Sequence, residues 1–205
     1  MLRDPAVAKS DAMFKHISGV IVDETKRLRF QVEKVLQMSM FDRKAATFKR
    51  KEVEVNALIH DTVNTFRLKV EASGGQIEAH LDAIDDVVFV DEMHFTNVIF
   101  NLLDNAVKYK AEDRPPHLIV STNNPNDEKL EITIQDNGIG IRRDNLKKIF
   151  EKFYRVHTGN RHDVKGFGLG LAYVHNVVKA LGGSIHAESE FGKGTRFIIN
   201  IPLMG

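Results

Sequence analysis

Two diglycine stops do most to restrict what this chain can become. Gly74-Gly75 closes an amphipathic run through Ala57, Ile59, Val63, Phe66 and Val70, and Gly182-Gly183 closes another running from about Gly168 to Leu181. Glycine just past the last turn takes the left-handed conformation that ends a helix. Each stop is followed at once by a segment of strand period, Gln76 to Leu81 and Ser184 to Glu190. A third helix is predicted from Asp91 to about Tyr109, and Asn56 is read as the cap of the first. Further strands are read around Val53 and Val55, over Val87 to Val90, His117 to Thr122 and Leu130 to Asp136, and over Thr195 to Leu203. The run Asn123-Asn124-Pro125-Asn126-Asp127 is read as a hairpin turn. The resulting order, β-α-β-β-α-β-β-α-β-β, predicts an α+β fold: a two-layer sandwich of a mixed sheet with helices on one face.

Ahead of this block stands a different kind of segment. From Ala12 to Phe41 there is no proline and only Gly19, and Phe14, Ile17, Ile21, Leu28, Val32, Val35 and Met38 recur at helical spacing, with Lys26, Arg27, Arg29 and Lys34 on other faces. One long helix is predicted, with a seam for a partner helix in a coiled coil or bundle. The cationic stretch Arg43 to Lys51 reads as a linker, dividing the chain into residues 1–48 and 49–205. The balance of 29 Lys and Arg against 28 Asp and Glu disfavours general nucleic-acid binding. With no cysteine there is no disulfide, thiolate metal site or cysteine nucleophile, which suits a reducing compartment, so a cytoplasmic location is expected. The histidines are scattered without metal-ligand spacing.

Four local patterns carry chemistry. Asn97, Asn101 and Asn105 fall four apart along one face of the Asp91 helix, although asparagine is a poor helix-interior residue. Such a row either faces solvent or offers neutral oxygens to a hard cation such as Mg2+ and amide donors to phosphate, with Lys108 and Tyr109 beside it. Asp136-Asn137-Gly138-Ile139-Gly140 follows a strand; a buried Asp136 would need a donor, and the exocyclic amine of adenine is one. A plain strand-to-loop turn would look the same. Gly166-Phe167-Gly168-Leu169-Gly170 opens a helix whose exposed N–H groups suit phosphate, while dinucleotide and Walker-type signatures both fail. Finally, Gly192-Lys193-Gly194-Thr195 turns into the last strand, where Thr195 can present its hydroxyl to the same cleft.

Together these residues resemble the catalytic ATP-binding domain of sensor histidine kinases, within the superfamily of gyrase, mismatch-repair and heat-shock chaperone ATPases. Asn101 to Tyr109 is similar to its N box, Asp136 to Gly140 to the first glycine box, Phe150 to Arg155 to the F box, Gly166 to Leu171 to the second glycine box, and Gly194-Thr195 to the last, all in family order. The resemblance covers roughly Lys49 to Met204. It implies ATP and Mg2+ as cofactors, with Asn105 on the metal, Asn101 supporting it, Asp136 on the adenine amine, and Thr195 reaching the base directly or through water. Lys108, Tyr109, Tyr154 and Arg155 become contacts to phosphate or base edge, and Gly138, Gly140, Gly166, Gly168, Leu169 and Gly170 the loops around the nucleotide. Arg142 to Lys165 becomes a lid held to the body by Phe150 and Phe153.

The pattern departs from the family at the acceptor. These kinases carry the phosphorylated His on a helical hairpin with an acidic neighbour; His16 is the only His in the long helix and lacks that neighbour. The Ala12–Phe41 helix resembles the second helix of the hairpin, so residues 1–48 are expected to be a partial dimerisation and phosphotransfer segment, and the chain a piece cut after the acceptor or a kinase lacking one. The implied partners are the missing acceptor hairpin, a response regulator in a phosphorelay, and a second copy through that helix. The full-length protein could be an inner-membrane sensor with this part in the cytoplasm. An ATP-gated binding module without turnover is the alternative function; a hydrolysing ATPase is disfavoured because Asn101 stands where those enzymes carry a water-activating Glu.

Overall fold

The computed structural model describes residues 48–156 and 168–203, together with Met13, Phe14, Ile17–Gly19, Ile21, Val22 and Thr25. The chain divides into two compact units, residues 1–46 and 47–205. In the first, the described positions are all helical, and Met13, Phe14, Ile17, Ile21 and Val22 are exposed. The rest of the expected Ala12–Phe41 helix, His16, most of the cationic linker, and Gly166 with the C-terminal part of the expected lid lie outside the described residues.

The second unit is the expected α+β sandwich. Its elements are β1 (Lys51–Glu54), α1 (Val55–Glu71), β2 (Gln76–Leu81), β3 (Val87–Val90), α2 (Glu92–Lys108), β4 (His117–Asn126), β5 (Lys129–Asp136), α3 (Gly170–Ala180), β6 (Ser184–Glu190) and β7 (Gly194–Pro202). The five-stranded sheet has the order β2-β4-β5-β7-β6 and is mixed, because β2 runs parallel to β4 while the other neighbours are antiparallel. Strand register puts Ile77, Leu118, Val120, Ile132, Ile134, Phe197 and Ile199 on one face, all buried. Against it pack α1 on β2, α2 on β5 and α3 on β6. Each helix brings a buried stripe at helical spacing, such as Ile59, Val63, Phe66 and Val70 on α1 and Phe95, Ile99, Leu102 and Ala106 on α2. The reverse face carries Gln135, Arg196 and Glu188 in exposed positions, the last two paired at 3.7 Å.

Three sequence expectations are corrected. The strands β1 and β3 do not join the main sheet but pair with each other as a separate two-stranded ribbon, because each runs directly into a helix and is confined to that helix's start. Asn56 does not cap α1, which begins one residue earlier. The Asp86 carboxylate accepts from the Asn56 N–H at 2.8 Å, and the Asn56 side chain instead joins Ala83 and Thr122. The Asn-Pro run does not end β4, which continues to Asn126 through a bulge. Asn124 is tied there to the backbone of Ile84, Asp85 and Lys129, and the turn moves to Asp127-Glu128.

Asp91 caps α2, accepting from the His94 N–H at 3.1 Å, and its second oxygen accepts from the Lys49 N–H at 2.8 Å. One buried carboxylate therefore fixes both the start of α2 and the entry of the chain into the unit. Asp91→Ala removes the acceptor of both donors and should destabilise the protein by about 2 kcal/mol in urea unfolding. A change below about 0.5 kcal/mol, the ordinary surface range, would contradict that role.

Candidate functional site

The apolar face of the sheet does not stay apolar to its end. On the rung where β5, β7 and β6 terminate it carries Asp136, Thr195 and Ser189, paired in register as Asp136↔Thr195 and Ser189↔Thr195. These polar groups therefore point toward the helices, out of the same surface that buries Ile134 and Phe197. Asp136 Oδ1 accepts from the N–H groups of Gly138 at 2.8 Å and Thr195 at 3.2 Å. Ser189 Oγ donates to the Gly194 carbonyl at 2.6 Å, lies 3.0 Å from Thr195 Oγ1, and accepts from the Ile141 N–H at 2.8 Å.

Both bonds to Asp136 fall on one oxygen. Oδ2 has no hydrogen-bond partner among the described residues, and Asp136 lines a cleft. Burial pushes the Asp136 carboxyl up to about 6, and the two backbone donors only partly offset it. The cleft is lined by Asn105 and Tyr109 from α2 and its cap, by Asp136, Gly140 and Thr195, by Tyr154 and Arg155, and by apolar Ile139, Ile141, Ile149, Leu171, Phe191 and Phe197. An apolar slot with a few convergent polar groups is the usual form of a small-molecule site.

The asparagine row divides among three tasks. Asn105 lines the cleft, and its carboxamide makes no hydrogen bond within the described residues. Asn101 Nδ2 donates to the Asn97 carbonyl at 2.6 Å, and its Oδ1 faces Gly170, where a Cβ would stand at 3.2 Å. Asn97 bonds the hydroxyl of Tyr173, which also lies 2.8 Å from His94 Nδ1; burial pushes that phenol up to about 12. Asn97 is thus a packing residue of the helix layer. Lys108 does not line the cleft; it stands 5.8 Å from the centre of the Tyr109 ring, with its ammonium held below its usual range by burial. Burial likewise raises Tyr109.

The first glycine box is closed on itself. The N–H groups of Asn137 and Ile139 go to the carbonyls of His117 and Tyr109, and that of Gly138 to Asp136. A Cβ at Gly138 would stand 2.4 Å from the Tyr109 carbonyl, and Gly140, at φ +66, would bring one within 2.1 Å of the Glu190 carbonyl. These glycines let α2, the loop and the β6–β7 hairpin meet, and only Gly140 borders the cleft.

On the opposite wall, Phe150 packs edge-on to Phe197 at 6.4 Å and against His175 at 5.7 Å, so it anchors the F-box segment to the body. Phe153 does not: its side chain is exposed, and its contribution is a backbone N–H to the Gly168 carbonyl at 3.0 Å. Tyr154 turns its hydroxyl to Asn145 Oδ1 at 2.7 Å, while Arg155 and Arg142 bring positive charge to the cleft, the latter 4.9 Å from the centre of the Phe191 ring. Gly168 packs under Tyr154, and Leu169 precedes α3, which starts at Gly170 with no side-chain cap and no acidic residue in its first turn. Ser189 and the apolar walls carry no motif; they follow from strand register.

A comparison with family models matches residues 90–205 to the histidine kinase-, DNA gyrase B-, and HSP90-like ATPase family. The chain belongs to this family. It is 64% identical over its whole length to the sensor protein RprX of Bacteroides fragilis and spans 39% of that relative. Among solved structures, full-length ShkA in complex with AMPPNP matches with a TM-score of 0.81 at 20% identity, covering 93% of this chain and 39% of that one. Histidine kinase ThkA in complex with response regulator protein TrrA matches with a TM-score of 0.70 at 22% identity, covering 99% of this chain and 53% of that one. The matched residues lie within the second unit, which is thus a domain of this ATPase family. No helix among the described residues is long and apolar enough to cross a membrane.

Because folding holds the Asp136 proton more tightly than the ordinary value of 3.8, the folded chain binds more protons than the unfolded one between about pH 4 and 6. Stability from this group is thus greatest at low pH, falls as pH rises through that window, and levels off above it. Asp136→Asn, which keeps an acceptor for both N–H groups without the charge, should raise stability of the ligand-free chain by about 2 kcal/mol at neutral pH and converge with the unsubstituted chain near pH 4. Chemical denaturation at several pH values measures this, and equal stability at neutral pH would contradict it.

Proposed function

We propose that this chain binds ATP with Mg2+ in the cleft and supplies the γ-phosphoryl group to a histidine carried on another segment. The observation that carries the reading is Asp136 Oδ2, an acceptor without a partner among the described residues, on a half-buried side chain that lines a cleft shared with the unpartnered carboxamide of Asn105 and with Arg142 and Arg155. The adenine amine is a donor of the right sign for Asp136; guanine, with a carbonyl at that position, would set two acceptors face to face. Thr195 Oγ1, with Ser189 behind it, offers a second contact to the base. Ile139, Ile141, Ile149 and Phe191 exclude water from the ring.

At the phosphate end the residues fit a hard cation. Asn105 presents a free neutral oxygen donor, the kind of ligand Mg2+ accepts beside phosphate oxygens, and Asn101 is held against the start of α3 by its neighbours. Mg2+, when bound, would neutralise charge on the phosphates and align them for in-line transfer. Arg155 adds positive charge, and the uncapped start of α3 adds backbone N–H groups, with Gly166, Gly168, Leu169 and Gly170 as the loop leading into it. Lys108 and Tyr109 act at the edge of this region. The likeness to ShkA, whose structure holds AMPPNP, supports the ligand; that of ThkA to this chain, in its complex with TrrA, supports a response regulator as partner. Residues 1–48 are read as the second helix of a dimerisation hairpin and its linker, acting in a cytoplasmic part of a longer sensor, in which a second copy joins through that helix.

Incubated with labelled ATP and Mg2+, the 205-residue chain should leave no acid-labile phosphate on itself and should label a separately supplied hairpin bearing the acceptor histidine. ATP binding without any transfer would favour the regulatory-module reading, and strong self-labelling would contradict the absence of an acceptor. Asp136→Asn should weaken ATP by about 1–3 kcal/mol in calorimetric titration. Asn105→Asp should shift the Mg2+ concentration needed for binding while leaving the melt of the ligand-free chain in place.

A further inference from the structure

We infer that Arg114 is a positioning residue for the base end of the nucleotide site, an inference that rests on the ATP reading above. Arg114 lies in the connection from α2 to β4, in a run Ala111-Glu112-Asp113-Arg114-Pro115-Pro116 that resembles none of the family's boxes. Its half-buried guanidinium donates from Nε to the Asn137 carbonyl at 2.8 Å and from one terminal nitrogen to the carbonyls of Gly138, at 3.1 Å, and Gly192; the other terminal nitrogen meets Asp113 at 3.3 Å. Three carbonyls from two separate loops thus converge on one planar fork.

Both loops carry a nucleotide-site residue at their root. Asn137 follows Asp136 directly, and the Gly192 turn leads through Gly194 to Thr195. The loops touch each other through the Gly192 N–H to the Ile139 carbonyl at 2.8 Å, and the first touches the cap of α2 through the Ile139 N–H to the Tyr109 carbonyl at 3.0 Å. Without Arg114 the Asn137 and Gly138 carbonyls lose their only charged donor, although the N–H groups of Asn137, Gly138 and Ile139 keep their partners. The expected consequence is a shift of the Asp136 carboxylate and the Phe191 wall relative to each other rather than unfolding. A guanidinium can serve three acceptors at fixed angles; an ammonium is a point charge on a flexible stem and cannot hold the same fork. Charge alone is therefore insufficient at this position.

The test compares the full chain with Arg114→Lys and Arg114→Ala. For each, the melt without nucleotide, the dissociation constants for ATP and GTP, and transfer to a supplied acceptor hairpin are measured. Arg114→Lys should melt close to the unsubstituted chain, weaken ATP about tenfold, narrow the preference for ATP over GTP, and raise KM more than it lowers kcat. Arg114→Ala should weaken ATP at least as far. ATP affinity and ATP-over-GTP preference unchanged in Arg114→Lys would overturn the inference while leaving the site reading intact; so would a loss shared equally by ATP and GTP. Failure of the unsubstituted chain to bind ATP would overturn the nucleotide reading and this inference with it.

Discussion

A half-buried carboxylate with one oxygen that no described residue donates to is the constraint around which the second unit is built. Sheet register forces Asp136 to the helix-facing side, continuous with Ile132 and Ile134, so its charge cannot turn to solvent without breaking β5 from β4 and β7. The two N–H groups that reach it both meet Oδ1. What remains is an acceptor beside an apolar slot, an arrangement that opposes folding and that a ligand donor relieves. The apolar rows of the sheet and the stripes of α1, α2 and α3 supply the burial that offsets it. Stability and recognition thus pull against each other at one side chain, as is common where a site is preorganised.

The walls around that acceptor are held by backbone more than by side chains. Gly138 and Gly140 let three elements approach within contact distance, and the loop they form donates from Asn137 and Ile139 to protein carbonyls and from Gly138 to the Asp136 carboxylate. Backbone bonds tie this end to the cap of α2 and to the β6–β7 turn. At the phosphate end, Asn105 and the start of α3 keep their polar groups uncommitted, and the neighbouring segment is anchored mainly by Phe150. A fixed base end with uncommitted groups opposite fits a nucleotide that is gripped by its ring and presented by its phosphates.

Much of this was legible in the sequence because the signals are local. Diglycine stops, strand alternation, the helix start at Asp91 and the Asp136 to Gly140 bend each need only a few neighbouring residues to be read. What failed needed distant partners. Asn56 has the composition of a cap, but Asp86 reaches that helix start from another loop. Pro125 and its asparagines have the composition of a turn, but Asn124 is anchored to Ile84 and Asp85, and the strand runs on. The equal spacing of Asn97, Asn101 and Asn105 suggested one role, yet the cleft reaches only the last, since Tyr173 and Gly170 of the α3 region meet the others. Ser189 and Arg114 carry no motif at all, and their importance follows from which rung and which carbonyls the fold places beside them.

The central claim is that the free oxygen of Asp136 awaits a donor that the nucleotide brings. Its carboxyl carbon, followed by carbon-13 resonance across pH with and without ATP, tests this directly. The account expects the carboxyl to titrate near 6 in the ligand-free chain and distinctly lower once ATP is bound, because a donated hydrogen bond favours the charged form. A titration that ATP leaves in place, or moves upward, would contradict it.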